Sequence, residues 1–354
     1  MVVFYHQTVY LARIGGHTTM HDIFGGRPGL YGVVAFFVLS GYLMADIAPK
    51  YRPATFIMHR AIRIYPTYWF CVLAATFFFY WLWTATRPNA DYVPNIATML
   101  LADGVSRDLL RLTLAPMVFS DFPLGIEWTL LYETTFYLII FAVSLAGLLR
   151  FLPHLSVLWL GVVVWAMWTN PAGQGSYTTP SIITLPFFGI NAAFIFGILG
   201  ARLRAHVRPL PALLAGVLLV ALVEVAPHRL AMLQIAAGLA SMVMGLLALE
   251  RGGRLPQLLP LRRLGDWSYV IYLVHVPIIL GTFKLMGTGW TWMAMATSMA
   301  LVLLTSAVIG TLDVAGYYRL KRVLDTAPPA VRIGIAVAFV VTFLAAAVYG
   351  LRGR

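Results

Sequence analysis

An all-α, polytopic integral membrane protein with about ten to eleven transmembrane helices is the fold this sequence predicts, on two observations. The 354 residues are 60% hydrophobic and only 11% charged, whereas an ordinary soluble domain carries roughly 25% charged residues. The apolar residues also gather into runs close to the ~20 residues a helix needs to cross the hydrocarbon core. A net charge of +12 would point to nucleic acid in a soluble chain. Here the arginines sit in short segments between apolar runs, so they read as determinants of orientation, and no nucleic-acid partner is expected. The single cysteine, Cys71, lies inside an apolar run and excludes an internal disulfide.

The runs place ten full spans at roughly 29–48, 66–84, 128–149, 154–170, 181–200, 210–226, 230–249, 264–286, 291–315 and 332–350. Residues 1–12, MVVFYHQTVYLA, read as the outer end of an eleventh. Twelve helical residues reach only about 18 Å of a ~30 Å core, so a truncated first helix, with a start upstream of Met1, is expected. With the N-terminus cytoplasmic and the spans alternating, sixteen of the 25 Lys and Arg residues fall in the cytoplasmic segments 49–65, Arg150, 201–209, 250–263 and 316–332. That bias follows the positive-inside rule. Segment 85–127 carries Asp91, Asp103, Asp108, Asp121 and Glu127 and has no run long enough to span, so it reads as an outer-side loop. Within it, SRDLLRLTLAP suits a short surface helix. The whole of 1–354 reads as one transmembrane domain, with 332–350 an extra C-terminal helix.

An ionisable residue inside a span costs at least ~2.5 kcal/mol and is a functional candidate by default. Asp46, Glu224 and Asp313 lie near the ends of predicted spans, where a solvated structural role is expected. His6 lies seven residues before Arg13, so about 10 Å deep from the outer surface. A neutral imidazole there can take a proton from a hydroxyl near neutral pH, or can simply bond a neighbouring helix; the residues alone support both. Glu133, in EWTLLYETTFY, follows Trp128 at the start of its span and lies about 8 Å from the same surface, with Tyr137 at i+4 on its face. Two residues far apart in sequence thus reach the depth that a His–carboxylate pair requires. Pairing of Glu133 with an arginine for packing is the bland alternative.

The other polar stretches are more evenly balanced. GDWSYVIYLVHVP spaces Tyr269, Tyr272 and His275 three apart, a polar stripe over about a third of the helix circumference that serves packing or substrate equally well. FFVLSGYLM offers Ser40 and Gly41, followed by Tyr42, near mid-membrane. Small residues there read chiefly as a close helix contact. In RAIRIYPTYWF, Arg60 and Arg63 share a face at i+3 just before Pro66, which is read as opening the next span. As orientation anchors they need no other role, yet an arginine fork also matches phosphate geometry.

Taken in order, FFVLSGYLM, RAIRIYPTYWF, EWTLLYETTFYL and GDWSYVIYLVHVPI resemble the motifs of the membrane-bound acyltransferase family 3, over residues 1 to about 315. WTLLYETTFY looks most like the branch that acetylates exopolysaccharides. The resemblance implies about ten helices in a bacterial inner membrane. It also implies transfer of an acyl group, usually acetyl, from cytoplasmic acyl-CoA to a hydroxyl, usually on a glycan, with no metal. It implies that His6 is catalytic, that Arg60 and Arg63 serve the donor, and that Glu133 is the family's acidic position. Tyr269, Tyr272 and His275 fall on its late motif. Two positions depart from the pattern. The family's first-helix arginine would lie upstream of Met1, and Val34 and Ala35 stand where many members carry an acid before FFVLSG.

The expected activity is therefore O-acyl transfer to a glycan or glycan-lipid at the outer side. His6 would be the base and Glu133 would orient or charge-balance it, with the bilayer and polysaccharide-assembly proteins as partners. A proton-coupled transporter or flippase is the rival, since buried His and Glu suit that as well. It predicts the internal repeats and paired broken helices common in carriers, and the sequence has no visible repeat. A scaffold in a polysaccharide-assembly complex is the third reading.

Overall fold

Water is absent from the hydrocarbon core, so a spanning chain must satisfy its own backbone groups, and a helix does this within one segment. The computed structural model, which describes residues 1–15, 27–86, 111–114, 124–176, 183–224, 230–256, 258–287 and 291–352, follows that rule. Its helices are α1 (Val2–Gly15), α2 (Arg27–Ile47), α3 (Pro53–Thr86), α4 (Trp128–Leu145), α5 (Leu152–Thr169), α6 (Asn191–Leu203), α7 (Pro209–Ala221), α8 (Ala231–Arg251), α9 (Leu259–Met286), α10 (Thr291–Thr326) and α11 (Pro329–Arg352). There is no strand among the described residues. Eight of these helices are long and apolar enough to cross a membrane, and α6 and α7 are shorter apolar helices. The fold class is as the sequence predicts.

Several boundaries differ from the expected ones. α3 starts at Pro53, and Pro66 lies inside it instead of opening it. Proline is tolerated at the first helical position, where its missing N–H would have no partner anyway. Inside a membrane helix it is tolerated where neighbours repair the backbone. Two residues before Pro66, the Tyr269 hydroxyl donates to the Ile64 carbonyl at 2.8 Å, a tie between α3 and α9 separate from the Ile62 carbonyl that the proline leaves without its N–H. Arg60 and Arg63 therefore stand on a continuous helix, not in a loop ahead of one. α10 runs to Thr326, well past the expected end near 315.

The span expected at 181–200 is interrupted. Its helical part is Asn191–Leu203, preceded by a 3-10 turn at Leu185–Phe187. Asn191 donates to the carbonyls of Leu185 and Phe188, at 2.7 and 3.0 Å, and Trp159 donates to that of Pro186 at 2.8 Å. The polar groups released by the break are thus re-bonded by side chains. Most of the expected surface helix in 85–127 lies outside the described residues.

The chain divides into two compact units. The first comprises residues 1–29, 58–130 and 258–354, and so holds α1, most of α3, α9, α10 and α11. In it α1 packs on α9 and α10, and Gln7 ties it to α10 by donating to Met295 O and Ser298 Oγ, both at 2.8 Å. The second comprises 30–57 and 131–257, with α2, most of α4, and α5 to α8. There α2 and α6 touch backbone to backbone. A Cβ on Gly41 would lie 2.1 Å from Phe194 O, and one on Gly197 would lie 2.1 Å from Val38 O. The small residue after Ser40 is thus a packing device, as the sequence suggested. Beside it Phe194 stacks between Phe37 and Phe136, at 4.3 Å on each side.

Candidate functional site

Burial singles out two helices. In α4 and α9, 61% of the apolar window is buried, against 22% in α11. α4 carries Glu133 and α9 carries Tyr269, Tyr272 and His275.

In the first unit, His6 is half-buried on α1 and its ring neighbour is His275, fully buried on α9. His275 Nε2 lies 3.0 Å from His6 Nδ1, with ring centroids 4.9 Å apart. His6 Nδ1 also lies 3.1 Å from Val2 O, and His275 Nδ1 lies 2.6 Å from Tyr272 O and 3.1 Å from Ile271 O. Tyr5 and Tyr10 flank the His6 ring. The sequence had assigned His6 and His275 to separate features; the fold joins them.

Arg63 projects from α3 toward α9 and α10. Its Nη1 donates to Asp313 at 2.7 Å, and its guanidinium lies 5.4 Å from the Tyr269 ring and 5.5 Å from the Tyr317 ring. Such distances allow cation–π attraction on both sides. Thr67, one turn on from Arg63, donates to the other oxygen of Asp313. The expectation of a solvated Asp313 is overturned: its side chain is only 4% exposed, because α10 continues past it. Arg60 is half-buried one turn before Arg63 on the same helix.

Tyr272 completes this face of α9, donating to Ile126 O at 2.9 Å and meeting Thr129 Oγ1. The stripe therefore has two kinds of engagement across helices. Tyr269 and Tyr272 bond backbone carbonyls, and His275 bonds His6.

In the second unit, Glu133 is buried and its Oε1 accepts from Ser40 Oγ at 3.3 Å and from the Tyr137 hydroxyl one turn along α4. The i+4 spacing read from the sequence is realised as a hydrogen bond. Ser40 is thus a donor to the carboxylate. Tyr42 lies elsewhere, beside Arg204, which also donates to Asp46 at 2.7 Å. Trp128 is half-buried at the start of α4.

Two buried charges escaped the sequence reading, which had them in an outer loop. Glu127 is completely buried, and its oxygens accept from the backbone N–H groups of Leu124, at 2.7 Å, and Ile126, at 2.9 Å. The turn that aims these amides needs Gly125 in the left-handed region, at φ 74°. Burial pushes the carboxyl up to about 7, against the opposing pull of the amides. Arg111 is 1% exposed, and its carbonyl accepts from the buried Tyr68 hydroxyl at 2.8 Å. Its one available signal was the spacing of apolar residues around it in SRDLLRLTLAP.

The first unit also holds an apolar cavity of about 380 Å³ between α3, α9 and α10, lined by Cys71, Phe78, Pro277 and Leu301 among others. Its walls suit hydrocarbon, and their polar side chains are the Cys71 thiol and the hydroxyls of Thr282 and Thr305. Among the described residues no group of three or more His, Cys, Asp and Glu side chains is arranged to hold a metal ion.

An imidazole pair, a clamped arginine and a hydroxyl-bonded carboxylate are the parts a group-transfer enzyme uses, and comparison with known proteins decides the class. Residues 1–312 match the acyltransferase domain family, the family 3 that the four motifs resemble. The chain belongs to this family. This membrane acyltransferase is also 29% identical, over 320 residues, to the exopolysaccharide production protein ExoZ of Rhizobium meliloti, an alignment covering 84% of this chain and 89% of that protein. No solved structure matches it.

Proposed function

We propose that this acyltransferase moves an acyl group, acetyl in the first instance, from cytoplasmic acyl-CoA to a hydroxyl of an exopolysaccharide or its lipid-linked precursor. The reaction would occur at the outer side of a bacterial inner membrane, with the N-terminus cytoplasmic. The observation that carries this reading is the role of α9. Tyr269 on that helix lies beside the Arg63 guanidinium, and His275 bonds His6. Six residues separate the two positions, a rise of about 9 Å. One rigid helix therefore fixes both an anion-binding group and a base, at different depths. The name of the Rhizobium meliloti relative supports the glycan acceptor.

The roles follow from the chemistry. A guanidinium presents five N–H donors in a fork, so engagement of Nη1 by Asp313 leaves Arg63 capacity for a donor phosphate, with Arg60 one turn away. His6 takes the proton of the acceptor hydroxyl as its oxygen attacks the thioester carbonyl. Collapse of the tetrahedral species expels the CoA thiolate, and the proton passes to the thiolate. Glu133, held within the second unit by two hydroxyl donors, is a catalytic candidate in its own right, and Tyr269 and Tyr272 support the framework around Arg63 and His6.

Purified protein in lipid nanodiscs, given radiolabelled acetyl-CoA and a polysaccharide acceptor, tests this. His6→Ala should reduce acetyl transfer by at least about 100-fold while leaving expression and detergent stability intact. Undiminished transfer would end the base assignment, and uptake of a glycan-lipid into liposomes without CoA would favour the carrier reading. Mass spectrometry of surface glycans from cells with and without the gene should differ by one acetyl group per modified sugar.

A further inference from the structure

We infer that His275 is a positioning residue that fixes the tautomer of His6, so that His6 presents Nε2 as its proton-accepting nitrogen. The inference deepens the base assignment made above and rests on it.

The chain of reasoning begins at the backbone of α9. His275 Nδ1 is within hydrogen-bonding distance of two carbonyls, Tyr272 O at 2.6 Å and Ile271 O at 3.1 Å. A carbonyl oxygen only accepts, so Nδ1 of His275 carries the proton. A neutral imidazole with its proton on Nδ1 keeps a lone pair on Nε2. That lone pair points at His6 Nδ1, 3.0 Å away, which must then donate. A second contact demands the same. His6 Nδ1 lies 3.1 Å from Val2 O, where a lone pair would meet another lone pair and a proton would not. Two independent acceptors thus place the His6 proton on Nδ1 and leave its basic lone pair on Nε2.

This arrangement does for His6 what a buried carboxylate does for the histidine of a serine-hydrolase triad, with a neutral ring in the orienting place. When Nε2 of His6 accepts the proton of the acceptor hydroxyl, the ring becomes cationic and its Nδ1–H becomes a stronger donor to His275. His275 itself gains no proton in this step. Outward from the Tyr272 carbonyl, which accepts, His275, His6 and the acceptor hydroxyl each donate to the neighbour nearer the backbone.

The test reads the tautomer directly. Protein carrying ¹⁵N-labelled histidine rings, in lipid nanodiscs, is compared by NMR with a His6→Gln variant to identify the His6 signals. The expected wild-type spectrum has His6 protonated at Nδ1 and bare at Nε2. His275→Leu should move His6 to the other tautomer or to a mixture and lower acetyl transfer about 10- to 100-fold. His275→Gln, whose Oε1 can occupy the acceptor position, should recover most of that loss and restore the wild-type tautomer. A wild-type His6 protonated at Nε2, or a His275→Leu signature identical to wild type, would overturn the inference. Where His275→Leu does not fold, the wild-type spectrum alone decides. Full transfer by His6→Gln would end the base assignment while leaving the tautomer measurement to stand or fall by itself.

Discussion

Each unit of the protein contains an arginine–aspartate pair, and both pairs close at 2.7 Å. In the first unit the side chains of Arg63 and Asp313 are 27% and 4% exposed. In the second, Arg204 and Asp46 are 46% and 29% exposed, and Asp46 also holds Lys50 at 2.5 Å. Equal distances conceal unequal energetics. Around Asp46, water screens the attraction and solvates whatever is left unpaired, so the cluster contributes little. Around Asp313, two tyrosine rings, Thr67 and α10 replace the water, so each partner depends on the other. The buried pair sits where donor chemistry is proposed; the exposed one trims a helix end.

The largest difference should appear when one partner is removed. Arg63→Ala leaves the Asp313 side chain without its partner in a site built for a cation, and thermal unfolding in detergent should show a loss of about 3 kcal/mol. Arg204→Ala should cost less than about 1 kcal/mol by the same measurement. Arg63→Ala combined with Asp313→Asn sharpens the contrast, because it removes the stranded carboxyl group. That double variant should regain most of the stability yet remain defective in binding acetyl-CoA by isothermal titration. Restored CoA affinity would show that Arg63 is only an anchor, and equal losses from both single variants would erase the distinction drawn here.

The sequence treated Asp46 and Asp313 alike, and the reason shows what a sequence can hold. Apolar run length follows from bilayer thickness, so helices such as α2, α5 and α8 were legible to within a few residues. Where a helix ends in or beyond the interface is not set by apolarity. Arg319, Lys321 and Arg322 read as loop, yet they form further turns of α10, which moves Asp313 inward from an end. The same holds for α3, where Pro66 looked like a start and the helix begins at Pro53. Within the candidate site, the Glu133–Tyr137 bond was visible because it is local, one turn of one helix. The His6–His275 contact joins residues 269 positions apart, and no periodicity encodes that. Glu127 was hidden for a third reason: its partners are backbone amides, which leave no mark on residue identity.

Glu127 extends the comparison to a buried carboxyl whose partners carry no charge. Its folded pKa of about 7 stands above the ordinary 4.5. Between those values the folded state retains a proton that the unfolded state has lost, so stability falls as pH rises through this window. The full difference is about 3 kcal/mol, complete once pH exceeds the folded value. Thermal unfolding measured from pH 5 to pH 8 should therefore show declining stability in the wild type and a flatter profile in Glu127→Gln. A wild-type profile that rises over this range would mean that the amides of Leu124 and Ile126 outweigh burial.

The smallest effect belongs to the exposed pair, and it is the most direct check on the claim that burial, not distance, separates the two. Asp46→Asn removes the acceptor of both Lys50 and Arg204, two contacts at least as short as the one in the buried pair. Their attraction acts across solvent, where the screening length is about 10 Å at 0.1 M salt and about 3 Å at 1 M. The loss should therefore be a few tenths of a kcal/mol at low salt and vanish near 1 M. Asp313→Asn should keep most of its larger penalty over the same salt series, since the Asp313 side chain is only 4% exposed. A salt-independent deficit in Asp46→Asn would place that cluster in a protected environment and would require the two pairs to be ranked again.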